Sequence, residues 1–108
     1  MKEVYIQNIK ALIGSNAKEN WNILDLSSPE YVFFHLAAFP SCYLILESEG
    51  IPDNEILKEA SLNCKNNTKY RNVPNVKVDY TLCSNVIKGT KVGEVIYKSN
   101  KKVFQIKI

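Results

Sequence analysis

"EYVFFHLAAFPSCYLILE", residues 30–47, is almost wholly apolar, yet it holds the chain's only histidine, His35. Side chains alternate between the two faces of a strand, so Val32, Phe34, Leu36 and Ala38 share one face. Phe33, His35, Ala37 and Phe39 share the other. Both sets are apolar, which is the pattern of a central strand covered on both sides. Phe39-Pro40-Ser41 breaks the run, because proline brings no N–H to a ladder. The stretch therefore predicts two adjacent antiparallel strands, residues 31–38 and 42–47, with Val32, Phe34 and Leu36 buried.

The segments on either side fill in the frame. "VYI" (4–6) and "IKALIG" (9–14) read as two short strands around Gln7-Asn8, with Gly14 ending the second. Ser15 or Asn16 then caps a helix, Glu19 stands at capping-box spacing from Asn16, and Ser27-Ser28-Pro29 ends it. Trp21 and Leu24 share a face of that helix. A second helix is predicted over about residues 53–66, with Ile56, Leu57, Ala60 and Cys64 as its apolar stripe and "KNNTK" fraying its end. "VKVDYTL" (76–82) alternates cleanly as a strand, placing Val76, Val78, Tyr80 and Leu82 on one face and Lys77, Asp79 and Thr81 on the other. "EVIYKSNKKVFQIKI" (94–108) reads as a hairpin turning at Ser99-Asn100, with Phe104, Ile106 and Ile108 facing inward. No repeat, linker or low-complexity tract divides the chain. Its 108 residues form one predicted α+β domain, with a largely antiparallel sheet of about six strands and two short helices.

Composition narrows the function classes. Hydrophobic content of 45% and charged content of 23% are those of a globular domain. No apolar run reaches the roughly 18–20 residues of a membrane span, and Met1 is followed by Lys2-Glu3, which does not read as a signal peptide. A cytoplasmic protein without a membrane partner is expected. Cys42, Cys64 and Cys83 are odd in number and widely spaced, which argues for a reducing compartment and against a disulfide framework or a zinc site. Cys42 and Cys64 fall at apolar positions and are expected as small buried hydrophobes.

The net charge of +3 conceals an asymmetry. Residues 1–64 carry four lysines against nine acids, a balance of −5. Residues 65–108 carry nine lysines and Arg71 against Asp79 and Glu94, a balance of +8. A basic half on a small domain is the footprint of a polyanion binder.

His35 has three readings. It is a neutral core imidazole holding one hydrogen bond, the base of a Cys–His pair with Cys42 or Cys83, or part of a recognition surface. Phosphate-loop, dinucleotide and nucleophile-elbow motifs are all missing from the sequence, and one histidine among scattered acids makes no metal site. A protein that is not an enzyme is expected, with no cofactor, metal or small-molecule substrate. On the third reading, Phe33, His35 and Phe39 form a stacking platform for unpaired bases while lysines hold phosphates.

Four stretches add a resemblance: "IGSNAKENWNIL" (13–24), "VFFHLAAFPSCYLIL" (32–46), "VKVDYTLCSNVIKG" (76–89) and "VGEVIYKSNKKVFQIKI" (92–108). In this order and spacing they resemble the NFACT-R domain, the RNA-binding domain of the NFACT proteins of ribosome-associated quality control, found also as small stand-alone proteins. The resemblance runs from about residue 9 to 108 and rests on Gly14, Asn16 and Asn20, on Phe33, Phe34, His35, Leu36, Pro40 and Ser41, and on Val78, Tyr80, Thr81, Gly93, Val95 and Tyr97. Phe33 stands where that family usually has tryptophan, Ala37-Ala38 where a charged pair is common, and Tyr43 where a second histidine is usual. The resemblance implies a stand-alone, non-enzymatic RNA-binding module for tRNA or ribosomal RNA, working with or near the ribosome. Asn16, Lys18 and Asn20 of the first loop and Phe33, His35, Ser41 and Tyr43 of the strand pair would supply local recognition. Lys65, Lys69, Arg71, Lys88 and Lys91 of the basic half would hold phosphates. The alternative is a protein-interaction module that docks on a ribosomal or other protein, its lysines serving solubility alone. Salt separates the two, since RNA binding weakens steeply with salt and an apolar interface does not.

Overall fold

The computed structural model describes residues 1–108. Its strands are β1 (Lys2–Ile6), β2 (Ile9–Ile13), β3 (Val32–Leu36), β4 (Leu44–Leu46), β5 (Lys77–Leu82), β6 (Val86–Lys88), β7 (Val95–Tyr97) and β8 (Phe104–Lys107). Two helices join them, α1 (Ala17–Asp25) between β2 and β3, and α2 (Asn54–Asn66) between β4 and β5. Six strands form an antiparallel sheet in the order β1-β2-β4-β3-β5-β8, while β6 and β7 pair as a separate two-stranded ribbon. This is the expected α+β domain. No helix is long and apolar enough to cross a membrane.

The stretch from 30 to 47 lies at the centre, as its two apolar faces require. β3 is hydrogen-bonded to β4 on one side and β5 on the other. Val32, Phe34 and Leu36 are fully buried in a core completed by Leu57, Ala60 and Cys64 of α2. Phe33 is fully buried on the opposite face, in a second core with Leu12, Tyr43, Ile45, Val86 and Ile23 of α1. The helices therefore cover opposite faces of the sheet, and the ribbon shares the face of α1.

Local signals place most of the boundaries. Gln7 and Asn8 take positive φ (47° and 70°), the backbone of a tight hairpin turn. Asn16 caps α1 by accepting from the Glu19 N–H at 2.9 Å. The Glu19 carboxylate reaches back one residue further than a capping box, accepting from the Ser15 N–H at 3.0 Å. Asp53 caps α2 in the same way through the Ile56 N–H. In α1 the fully buried positions are Asn20 and Ile23, with Trp21 and Leu24 packed along their flank.

The C-terminal hairpin does not form. β7 pairs with β6, and the chain passes through a short 3-10 turn, Asn100–Lys102, to reach β8 on the far edge of β5. Buried polar side chains take up the backbone groups that a hairpin would need. Asn85 donates to the Ser99 carbonyl and accepts from the Ser99 N–H, both at 2.9 Å, and Thr81 donates to the Lys102 carbonyl at 2.8 Å. Thr81 and Asn85 are thus core residues, where alternation alone would put Thr81 on a polar face. Ile106 and Ile108 pack against the first core as expected, whereas Phe104 stays 49% exposed.

Phe33 anchors the second core from the middle of the sheet. Phe33→Ala is expected to cost about 3–5 kcal/mol of unfolding free energy. Urea denaturation monitored by Trp21 fluorescence measures it, and a loss below about 1 kcal/mol would show that α1 and the ribbon are held without this core.

Candidate functional site

A cleft of about 650 Å³ opens where β2, α1, β3 and the turn after α2 meet. It is lined by Gly14, Asn16 and Asn20 from the start of α1, His35 from β3, Pro40 to Cys42 from the following connection, Asn67 to Lys69 from the turn after α2, and Val92-Gly93 from the tip of the ribbon. Lys2 of β1 completes its rim.

One wall is built around Asn20. Its side-chain oxygen accepts from the Tyr43 N–H at 3.1 Å, and the Gly14 N–H donates to the Tyr43 carbonyl at 3.1 Å. A Cβ on Gly14 would stand 2.0 Å from that oxygen, so only glycine lets α1 approach the sheet this closely. The Tyr43 hydroxyl donates to the Gly93 carbonyl and ties the ribbon to the same point. Burial pushes that hydroxyl up to about 12, which keeps it a donor. Trp21 Nε1 adds a bond to the Glu94 carbonyl at 3.0 Å.

His35 forms the floor. It is half-buried, nearly parallel to the Phe33 ring at 6.2 Å, and edge-on to Tyr43 at 5.6 Å. Burial lowers its pKa below the usual 6.5 and outweighs the opposing pull of Asp79, its register partner on β5. The ring is neutral at pH 7. Ser41 closes the neighbouring corner, accepting from the Leu36 N–H at 3.0 Å and donating to the Cys42 carbonyl at 2.9 Å.

Of the twelve residues singled out in the sequence, the cleft gathers Asn16, Asn20, His35, Ser41 and Lys69. Phe33 and Tyr43 lie directly beneath it and are 0% and 1% exposed, so neither offers a ring face to a base. The stacking platform is corrected accordingly. These two residues support His35 from within the core, because α1 and the ribbon already cover them. Phe39 belongs to the opposite face, stacked on Tyr70 at 4.2 Å against the first core.

The basic residues divide as well. Lys65 is 7% exposed and its Nζ donates to the Ile108 carbonyl at 3.2 Å, so its charge seals the last residue of the chain and is not open to a phosphate. Lys88 stands on the outer flank of α1, paired with Asp25 at 2.7 Å and lying 5.1 Å over the Trp21 ring. Lys69 lines the cleft, and exposed Lys91 precedes the two ribbon residues that line it. Arg71 is exposed just beyond Lys69, and Lys18 is exposed on the first turn of α1. Lys2 was not legible as a site residue, since a lysine on an edge strand reads as a solubilising charge. Here its Nζ donates to Asn67 Oδ1 at 3.3 Å across the cleft mouth.

No family model matches the chain, and no curated protein sequence matches it. Among solved structures it is similar to the C-terminal part of the fibronectin/fibrinogen-binding protein from Streptococcus suis, with a TM-score of 0.87 at 19% identity over 99% of this chain. The chain spans 44% of that one. The two share a fold.

Two expectations follow from the site. Gly14→Ala should lower the melting temperature by several degrees, because the new methyl must displace the Asn20 oxygen from the Tyr43 N–H. An unchanged melting curve would show that the wall yields without loss. Because folded His35 takes up a proton less readily than the unfolded chain, its contribution to stability is complete above the ordinary pKa of 6.5 and is lost as pH falls below it. Unfolding free energies between about pH 7 and 5 should therefore decline more steeply for the native chain than for His35→Gln. Parallel profiles would place His35 in water.

Proposed function

We propose that this chain is a non-enzymatic RNA-binding module of the NFACT-R type, taking tRNA or ribosomal RNA in the cytoplasm in the service of translation or ribosome-associated quality control. The observation that carries the reading is the convergence of Asn16, His35, Ser41 and Lys69, from three separate stretches of sequence, on one cleft whose wall Asn20 holds in place. Each is legible in the sequence from a motif or from its charge. A core-only role for His35 would not need the company of these polar side chains.

The cleft's chemistry suits a nucleotide. Its volume falls within the roughly 300–1,000 Å³ of sites that hold small organic groups, so a base splayed out of a loop has room. A neutral imidazole offers one donor and one acceptor, and the Ser41 and Asn16 side chains add short polar groups. Lys2 and Lys69 stand at the rim, and α1 turns its positive end towards the same space, where a phosphate is favoured. The +8 balance of residues 65–108 supplies long-range attraction even though Lys65 and Lys88 are engaged locally. No catalytic step and no cofactor enter this reading.

A second reading is docking on a protein. Ile87 and Ile96 face each other across the ribbon and are 43% and 51% exposed, and the structural neighbour is described as a fibronectin/fibrinogen-binding protein. That likeness concerns the fold.

Binding isotherms with tRNA and with a ribosomal RNA fragment, taken between about 50 and 200 mM salt, test the first reading. Affinity should fall steeply across this range. Lys2→Ala, Lys69→Ala and Lys91→Ala should each weaken binding and reduce the log–log salt slope by roughly one, while Lys88→Ala leaves it unchanged. Salt-independent binding, or a loss confined to Ile87→Ser and Ile96→Ser, would favour the protein interface instead.

A further inference from the structure

Cys42 and Cys64 meet at the back of the cleft. Their sulfurs are 4.0 Å apart, and Cys42 Sγ also points at the Cys64 carbonyl at 3.5 Å. Cys42 is half-buried and lines the cleft, whereas Cys64 is fully buried in α2. Both occupy apolar positions as expected, Cys64 within the first core and Cys42 packed against it, and there the two thiols face each other. Cys83 lies alone in the opposite core, its thiol pushed up to about 11 by burial.

We propose that Cys42 and Cys64 are a redox modification site, closing reversibly to a disulfide that reshapes the cleft. The sulfurs must approach from 4.0 Å to about 2.05 Å, a movement that side-chain rotation and a small backbone shift supply. The backbone able to shift is the connection of residues 37–43, which has no regular structure. Cys64 sits in the rigid last turns of α2 and cannot travel far.

The oxidant is a peroxide, small enough to enter the cleft. The Cys42 thiolate attacks one peroxide oxygen of hydrogen peroxide, the O–O bond breaks, and the departing hydroxide takes up a proton to leave as water. Cys42 is then a sulfenic acid. The Cys64 sulfur, losing its proton, attacks the Cys42 sulfur, and the S–OH bond breaks to release a second water. In sum, two thiols and one hydrogen peroxide give one disulfide and two waters. The environments fit this order, since the hydrogen bond from Cys64 favours the Cys42 thiolate while the Cys64 thiol is held well above its ordinary pKa. A cellular dithiol reverses the change, so the site is compatible with a reducing compartment, where disulfides are transient and regulatory.

The consequence is geometric. Pro40, Ser41 and Cys42 form one wall of the cleft, and the turn that follows Cys64 forms another. Drawing Cys42 towards α2 moves Ser41 away from the Leu36 N–H that holds it and brings the two walls together. The effect on RNA binding rests on the reading above, whereas the disulfide itself does not.

Treatment of the reduced protein with hydrogen peroxide, followed by intact mass and non-reducing peptide mapping, tests the pair. A loss of two hydrogens, a link between the peptides of Cys42 and Cys64, and full reversal by dithiothreitol are expected. Cys83→Ser should behave like the native chain, and Cys42→Ser and Cys64→Ala should each abolish the link. Oxygen addition without a link, or dimers joined through Cys42, would overturn the proposal. The His35 imidazole resonance reports the cleft without RNA. It should shift on oxidation of the native chain and not of Cys42→Ser, and an unmoved resonance in the linked protein would refute the reshaping. If the link forms and the resonance shifts while tRNA never binds, the RNA reading fails and the redox site stands.

Discussion

The cleft depends on a single amide oxygen. Asn20 Oδ1 sits 6% exposed between α1 and the sheet, in the space left by the missing Cβ of Gly14, and accepts from the Tyr43 N–H. A neutral hydrogen bond of this kind contributes only about 1 kcal/mol net, but a buried N–H left without it costs about 1–3. The bond also fixes where Tyr43 begins β4's approach, and the Tyr43 hydroxyl carries the constraint to Gly93. Gly93 has φ of +90°, and a Cβ there would stand 2.6 Å from the Cβ of Ala17 in α1. The circuit thus runs from α1 to the sheet, to the ribbon and back to α1. The motif residues Gly14, Asn20 and Gly93 line the cleft but act as its frame, holding three elements at a common spacing around it.

Charge reaches the cleft sparingly. The basic half of the chain spends Lys65 on the last carbonyl and Lys88 on Asp25, leaving Lys2 and Lys69 at the rim and Lys91 close by. Glu19, at the mouth of α1, stays ionised but is paired with the amino terminus and hydrogen-bonded by Ser15, which hold its pKa down at about 2. The local field therefore comes from few cations with little opposing charge, and the remaining lysines act at a distance, where salt screens them within roughly 8–10 Å.

Much of this architecture was legible in the sequence. Period-two alternation over 32–36, the Asn16 and Asp53 caps and the stripe of α2 are local signals, and the structure follows them. What escaped was set by long-range polar bonding. Asn85 and Thr81 look like turn and strand-surface residues, yet their side chains lock Ser99 and Lys102 and divert the expected hairpin into two different sheets. The three-residue strand β6 was too short to announce itself beside the polar turn that follows it. Lys65 read as a free charge because nothing local reveals that Ile108 returns to its side. Four site residues were legible because they sit in motifs and Lys69 because of its charge, but Lys2, Asn67 and Thr68 reach the cleft only through the topology.

The histidine among apolar residues now has a physical explanation. Along β3 the alternation that buries Phe33 also directs His35 to the same face, two residues and roughly 7 Å further on. α1 and the ribbon cover the first position and stop short of the second, because their approach is limited by the Gly14–Asn20 and Gly93–Ala17 contacts. One sheet face therefore passes from dry core to open cleft between consecutive inward positions. A larger apolar side chain at residue 35 would expose itself there, and a permanently charged one would be desolvated against Phe33 and Tyr43. A neutral imidazole satisfies both demands, since it stacks on the core with one face and keeps donor and acceptor capacity at the boundary.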